Sequence, residues 1–247
     1  MITLREELRT SWEGQQAIHA PDRELRFRLM LDHVEQFAGQ PARVLDLACG
    51  PGSITRRVLD RFPTARVVAV DIDPLLLDLA RDAFAGDDRV EVLTRQLADA
   101  GWTDGLSGGF DAVLTATAMH WFPAPALAGV YAGVARLLRS GGVFVNADHI
   151  PVAEPVLRAA ADSLHQQHLR EAFATGVENC DQWYERAYAD PAYAGLWEER
   201  QRLFAHWSGD LLEREGWHVD LLRRNGFERA GAVWRHGNDA IVVAVRA

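Results

Sequence analysis

The chain has 247 residues, 48% hydrophobic and 25% charged, an ordinary globular profile for one large domain or one domain with an insert. At this length about 70–75% of the unfolded surface can be buried, so no disulfide or structural metal is needed. The net charge of -9 gives no positive field to gather phosphates, and all 26 basic residues are arginine. The lack of lysine excludes Schiff-base chemistry, the P-loop lysine and tyrosine–lysine dehydrogenases. Cys49 and Cys180 match no zinc or disulfide framework. No run reaches the roughly 18 apolar residues of a membrane span, and Met1 to Thr10 carries charges where a secretion signal needs an apolar core. The expectation is a cytoplasmic protein with a small-molecule partner, no nucleic acid and no membrane.

Phe27, Met30, Leu31, Val34 and Phe37 recur at helical spacing and predict a helix over 23–37 within a helical segment 1–40. Ala42 to Leu47 reads as a buried strand ending in Ala48-Cys49-Gly50-Pro51-Gly52-Ser53, followed by a helix with Ile54, Val58 and Phe62 on one side. Val67 to Val70 is a second strand, after which Asp73 caps a helix with Pro74 at its first position, running to about Phe84. Val90 to Leu93 and Ala112 to Leu114 are the third and fourth strands. Leu127, Val130, Tyr131, Val134, Leu137 and Leu138 mark a helix stopped by Gly141-Gly142, and Val143 to Ala147 is the fifth strand. Alternation of this kind builds a parallel sheet with binding at the carboxyl ends of its strands, here over 41–150.

From 151 to 215 no strand candidate appears, and aromatic residues accompany a helical composition, predicting a helical lid insert broken at Asp190-Pro191. The remaining 216–247 holds a helix stopped by Gly226 and two strand-like runs joined by His236-Gly237-Asn238-Asp239, a hairpin by composition.

The glycine loop lets backbone approach a ligand, and an acid stands at the end of each of the first two strands, Asp46 and Asp71. An acid in the second place can accept hydrogen bonds from both ribose hydroxyls of an adenosine. The segment Val44-Leu-Asp-Leu-Ala-Cys-Gly-Pro-Gly52 resembles the first motif of the class I S-adenosylmethionine-dependent methyltransferases. The resemblance covers about 23–150 and resumes from 216. It implies an α/β, Rossmann-like, seven-stranded and mostly parallel sheet with a C-terminal antiparallel hairpin, and S-adenosyl-L-methionine as cofactor. It further implies that Asp46, Ala48, Gly50 and Gly52 line the methionine and ribose side, with Ala48 where the family usually has glycine. Asp71 would hold the ribose and Ile72 pack on the adenine. Gln96-Leu97 falls where the family presents an acid to the adenine amino group, with Asp99 nearby, and Thr115 and Ala116 would approach the methionine.

A nicotinamide-dependent oxidoreductase is the first alternative, but Thr55 replaces the third glycine of that fingerprint. A non-catalytic binder of the same cofactor is the second. The Asn/Asp-Pro-Pro-aromatic motif of enzymes that methylate bases or glutamine is absent. Thr115-Ala-Thr-Ala-Met-His-Trp121 stands there, and the acids of magnesium-dependent catechol methyltransferases are unmatched. His165 and His168 read as surface histidines, so no metal is expected. The acceptor is expected to be small and apolar or aromatic, against Trp12, Trp121, Tyr184, Tyr188 and Trp207. His149, after the fifth strand, is the preferred general base, and His120, after the fourth, the second candidate.

Overall fold

A computed structural model describes residues 2–205 and 212–247. Its centre is a seven-stranded sheet in the order β3-β2-β1-β4-β5-β7-β6. The parallel strands are β1 (Arg43–Leu47), β2 (Arg66–Asp71), β3 (Val90–Thr94), β4 (Phe110–Ala116) and β5 (Leu138–His149). Two antiparallel strands, β6 (Phe227–His236) and β7 (Asp239–Arg246), complete it, with β7 inserted beside β5 so that His149 pairs with Asp239. The helices are α1 (Leu4–His19), α2 (Arg23–Ala38), α3 (Ser53–Arg61), α4 (Pro74–Ala83), α5 (Ala124–Leu137), α6 (Pro155–Phe173), α7 (Cys180–Ala189), α8 (Trp197–Phe204) and α9 (Glu215–Arg224).

Both faces of the sheet are covered, which is why its strands read as near-continuous apolar runs. Phe27, Met30 and Val34 of α2 and Ile54 and Val58 of α3 pack on one face against Val44, Val67 and Val145. Val130, Tyr131 and Val134 of α5 and Leu222 of α9 pack on the other against Leu45, Val113 and Phe144. A third cluster lies off the sheet, where Leu8 of α1 and Leu75, Leu76 and Leu79 of α4 meet Trp183, Tyr184 and Tyr188 of α7. Among the described residues no helix is long and apolar enough to cross a membrane.

Two boundaries differ from the sequence reading. The N-terminal helical segment is two helices, α1 opened by a Thr3/Glu6 capping box. Helix α5 ends at Leu137, and Gly141-Gly142 lie inside β5 rather than stopping the helix. A Cβ on Gly142 would lie 2.9 Å from the Arg139 carbonyl oxygen and 3.1 Å from that of Phe110. The glycines serve a close strand crossing, which overrides their helix-stopping reading.

Candidate active site

The chain leaving β1 turns sharply at the carboxyl edge of the sheet, with Ala48 at φ 53° and Gly50 at φ 55°. A methyl group in this left-handed region costs about 1–2 kcal/mol, so tertiary bonds must hold the turn. Cys49 N donates to the Val70 carbonyl at 3.0 Å and Gly50 N to Asp71 Oδ2 at 2.8 Å. Asp71 Oδ1 accepts from Ile72 N and Asp73 N at 2.6 and 2.8 Å. Burial outweighs these bonds and raises the Asp71 carboxyl to about 6. The result is a fixed carboxyl group on the wall of a cavity with one lone pair, on Oδ2, still unused. Gln96, beyond β3, lines the same cavity, and its buried Oε1 has no partner among the described residues. Two fixed acceptors on one wall call for a ligand with donors at both places, as the ribose hydroxyls and adenine amino group of an adenosine provide. The residues present therefore fit S-adenosylmethionine.

The cavity measures about 560 Å³. Ala48, Gly50, Asp71, Ile72, Gln96, Leu97 and Ala116 line it, as do Trp12, His120, Trp121, His149 and Tyr184. From the 151–215 segment Cys180, Asp181, Tyr184, Arg200 and Phe204 reach it, so the insert lies at the ligand edge of the sheet. Asp73 pins that insert in place. Its Oδ1 caps α4 through Leu75 N and Leu76 N, while its Oδ2 accepts from Tyr184 Oη at 2.9 Å and Arg200 Nε at 2.8 Å. The Arg200 guanidinium also stacks over the Tyr184 ring at 3.8 Å.

The two histidines meet at the end of β5, their ring centroids 4.7 Å apart. His120 Nδ1 lies 2.6 Å from Asp148 Oδ1, and His120 N donates to Asp148 Oδ2 at 3.1 Å. Burial alone would raise the Asp148 carboxyl, but His120 and His149 hold it down at about 2. An ionised Asp148 only accepts, so His120 donates to it from Nδ1. His149 Nδ1 pairs with Asp239 Oδ1 at 2.5 Å. Burial would lower the His149 imidazole, yet Asp239 and then Asp148 raise it.

Other expected site residues lie elsewhere. Asp46 is fully buried behind the loop, where its Oδ2 accepts from Thr55 N and Oγ1 at 3.0 and 2.6 Å and ties β1 to α3. Gly52 lines a separate cleft, not the cavity. Its space is taken by the Phe84 ring, 2.3 Å from where a Cβ would stand. Thr115 is buried within β4, and Tyr188 stacks behind Tyr184 in the third core cluster without lining the cavity. Asp99 is exposed, and Trp207 lies outside the described residues. Among those residues no three His, Cys, Asp or Glu side chains converge to hold a metal.

Sequence reasoning passed over Asp239, Arg26, Asp73 as a tether, Arg200, and Thr117, a β-branched cavity residue at φ 51°. Strain of that kind has no sequence signature.

Residues 44–142 match the family described as a methyltransferase domain. That segment therefore carries a methyltransferase domain. A trans-aconitate 2-methyltransferase of Streptomyces avermitilis is 34% identical over 118 residues, covering 46% of this chain and 42% of that protein. A second trans-aconitate 2-methyltransferase, from Methylobacterium radiotolerans, is 30% identical over 184 residues, 74% of this chain and 60% of its own length. A malonyl-[acyl-carrier protein] O-methyltransferase of Acetivibrio thermocellus is 31% identical over 127 residues, 51% of this chain and 42% of its own. The chain thus spans less than two thirds of each of these methyltransferases. Among solved structures, mitomycin 7-O-methyltransferase shares the fold at TM-score 0.55 and 21% identity, over 98% of this chain and 67% of that one.

Proposed function

We propose that this methyltransferase transfers a methyl group from S-adenosylmethionine to a small, apolar or aromatic organic acceptor. The observation that carries the reading is one cavity with two unlike ends. At one end are the fixed acceptors Asp71 and Gln96, and at the other are two carboxylate-backed imidazoles among aromatic walls.

S-adenosylmethionine, when bound, supplies a methyl group activated by its positive sulfur. The tasks left to the chain are alignment, exclusion of water and removal of one proton. Asp71 binds the ribose hydroxyls, Gln96 Oε1 the adenine amino group, and Ile72 packs on the base. Ala116 borders the methionine side. Trp12 of α1 and Tyr184, Arg200 and Phe204 of the insert close the cavity over the acceptor as a lid. His120 and His149 are the imidazoles placed to take the acceptor's proton and to stand beside its oxygen. The O-methyltransferase among the relatives supports oxygen as the atom methylated. The free thiols of Cys49 and Cys180 fit a reducing compartment such as the cytoplasm.

Calorimetric titration tests the reading. S-adenosylhomocysteine should bind and raise the melting temperature, while NADH should do neither. Binding of NADH alone, or of neither, would overturn it.

A further inference from the structure

The two histidines lie within a closed group of charges. Asp148 and Asp239 supply two negative charges, and Arg26 of α2 supplies one positive charge, buried to 2% exposure. Arg26 Nη2 donates to the Ala147 carbonyl at 2.9 Å, and its Nη1 lies 3.8 Å from Asp239 Oδ1. One imidazolium makes this group neutral. Two would leave it positive, with like charges on rings 4.7 Å apart. The two rings are not equivalent in this respect. The His149 ring pairs with Asp239 and is raised by Asp148 as well, so two carboxylates act on it, whereas His120 pairs with Asp148.

We propose that His120 and His149 hold one proton between them, His149 as the cation that meets the acceptor's oxygen and His120 as the neutral base. Asp239 is the positioning residue that keeps the charge on His149, while Arg26, itself a cation, opposes a second proton on the pair. The assignment to catalysis rests on the methyl-transfer reading, while the charge assignment stands on the cluster itself.

The surrounding groups fit. His19 of α1 and His165 of α6 are lowered first by burial, and His149 lowers both further, so neither competes for the proton. On α6, Asp162 binds Asn238 and His168 neighbours His165. On α2, Arg23 pairs with Glu13 and Asp22 with His236. Behind Asp148, the Tyr131 hydroxyl bonds His218 Nδ1 at 2.8 Å, and burial holds His218 low.

The arrangement selects an un-ionised hydroxyl of phenol or enol type, flanked by Trp12, Phe27 and Trp121. Its O–H bond breaks, the proton forms a bond to His120 Nε2, and the electron pair stays on oxygen beside the His149 cation. A carboxylate acceptor arrives ionised and has no proton to give.

Nitrogen-15 NMR of the imidazole rings tests this in the whole chain with S-adenosylhomocysteine at pH 7. His149 should appear as imidazolium, and His120 as the neutral ring protonated on Nδ1. Asp239→Asn should lower the His149 titration by more than about one pH unit, and Asp239→Glu should restore it. A neutral His149, two charged rings, or an unchanged titration in Asp239→Asn would overturn the proposal. The unsubstituted protein's titration decides it alone if Asp239→Asn does not fold. Calorimetry on the same samples separates the two readings. Failure to bind S-adenosylhomocysteine counts against methyl transfer, and binding together with a neutral His149 counts against this inference only.

Discussion

Asp71 and Asp46 occupy equivalent strand ends yet do different work, and pH separates them. Asp71 lines the cavity with a spare lone pair, so Asp71→Ala should weaken S-adenosylhomocysteine binding by more than about tenfold in calorimetry while the fold survives. Because its carboxyl is raised to about 6, protonation removes an acceptor, and affinity should fall as pH drops through that value. Asp46 is raised further, to about 7, by burial against the opposing Thr55 bonds. Folded protein then holds a proton that the unfolded chain has released. This contribution to stability is complete below the unfolded carboxyl value near 4 and is lost as pH rises to about 7. Asp46→Asn should flatten that decline, as read by urea denaturation at several pH values. Both positions were legible because strand ends can be counted from the sequence, but the placing of Asp46 behind the loop was not, since its partner Thr55 lies on the following helix. Nor was Asp239, since only the antiparallel return of β7 brings it against His149.

Elements were read well where an apolar stripe met the sheet, and less well where packing went elsewhere. Helix α2 sends Phe27, Met30 and Val34 into the sheet core and was expected almost to the residue. Helix α1 has only Leu8 and Gln15 buried, against α4 and α7, with charges between, so its periodicity is faint although its capping box was present. The insert's aromatics split along the same line: Tyr184 reaches the cavity, whereas Trp183 and Tyr188 build a local core. The glycine loop shows how a motif can mislead about its cause. Gly52 stands at φ 91° with Phe84 filling the space beside it. Gly52→Ala should therefore cost about 2–4 kcal/mol of stability in denaturant unfolding, and the loss should appear without any ligand present.

At the scale of the whole molecule, the cavity is closed by parts that belong to different layers. Helix α1 is fixed to α4 by Arg5 with Asp78 and Arg9 with Asp82, and to the loop through Glu13 with Ser53. The insert is fixed through Asp73, whose Oδ2 receives both Tyr184 and Arg200. On the proposed lid reading, these bonds part before the cofactor leaves. Arg200→Met should speed dissociation of S-adenosylhomocysteine about tenfold or more in stopped-flow displacement, and should lower the melting temperature of the ligand-free protein because the buried Asp73 carboxylate loses its cation. Wild-type dissociation in that variant would mean the ligand leaves by another route.

The placement of β7 between β5 and β6 also has a temporal consequence. His149 is made 239 − 149 = 90 residues before the carboxylate it pairs with. At about 5–20 residues per second, a nascent chain on the ribosome carries the parallel strands and their glycine turn for several seconds before Asp239 exists. During translation the nucleotide-binding half can take shape early, while the imidazole at the end of β5 stays without its counter-charge until the hairpin is added.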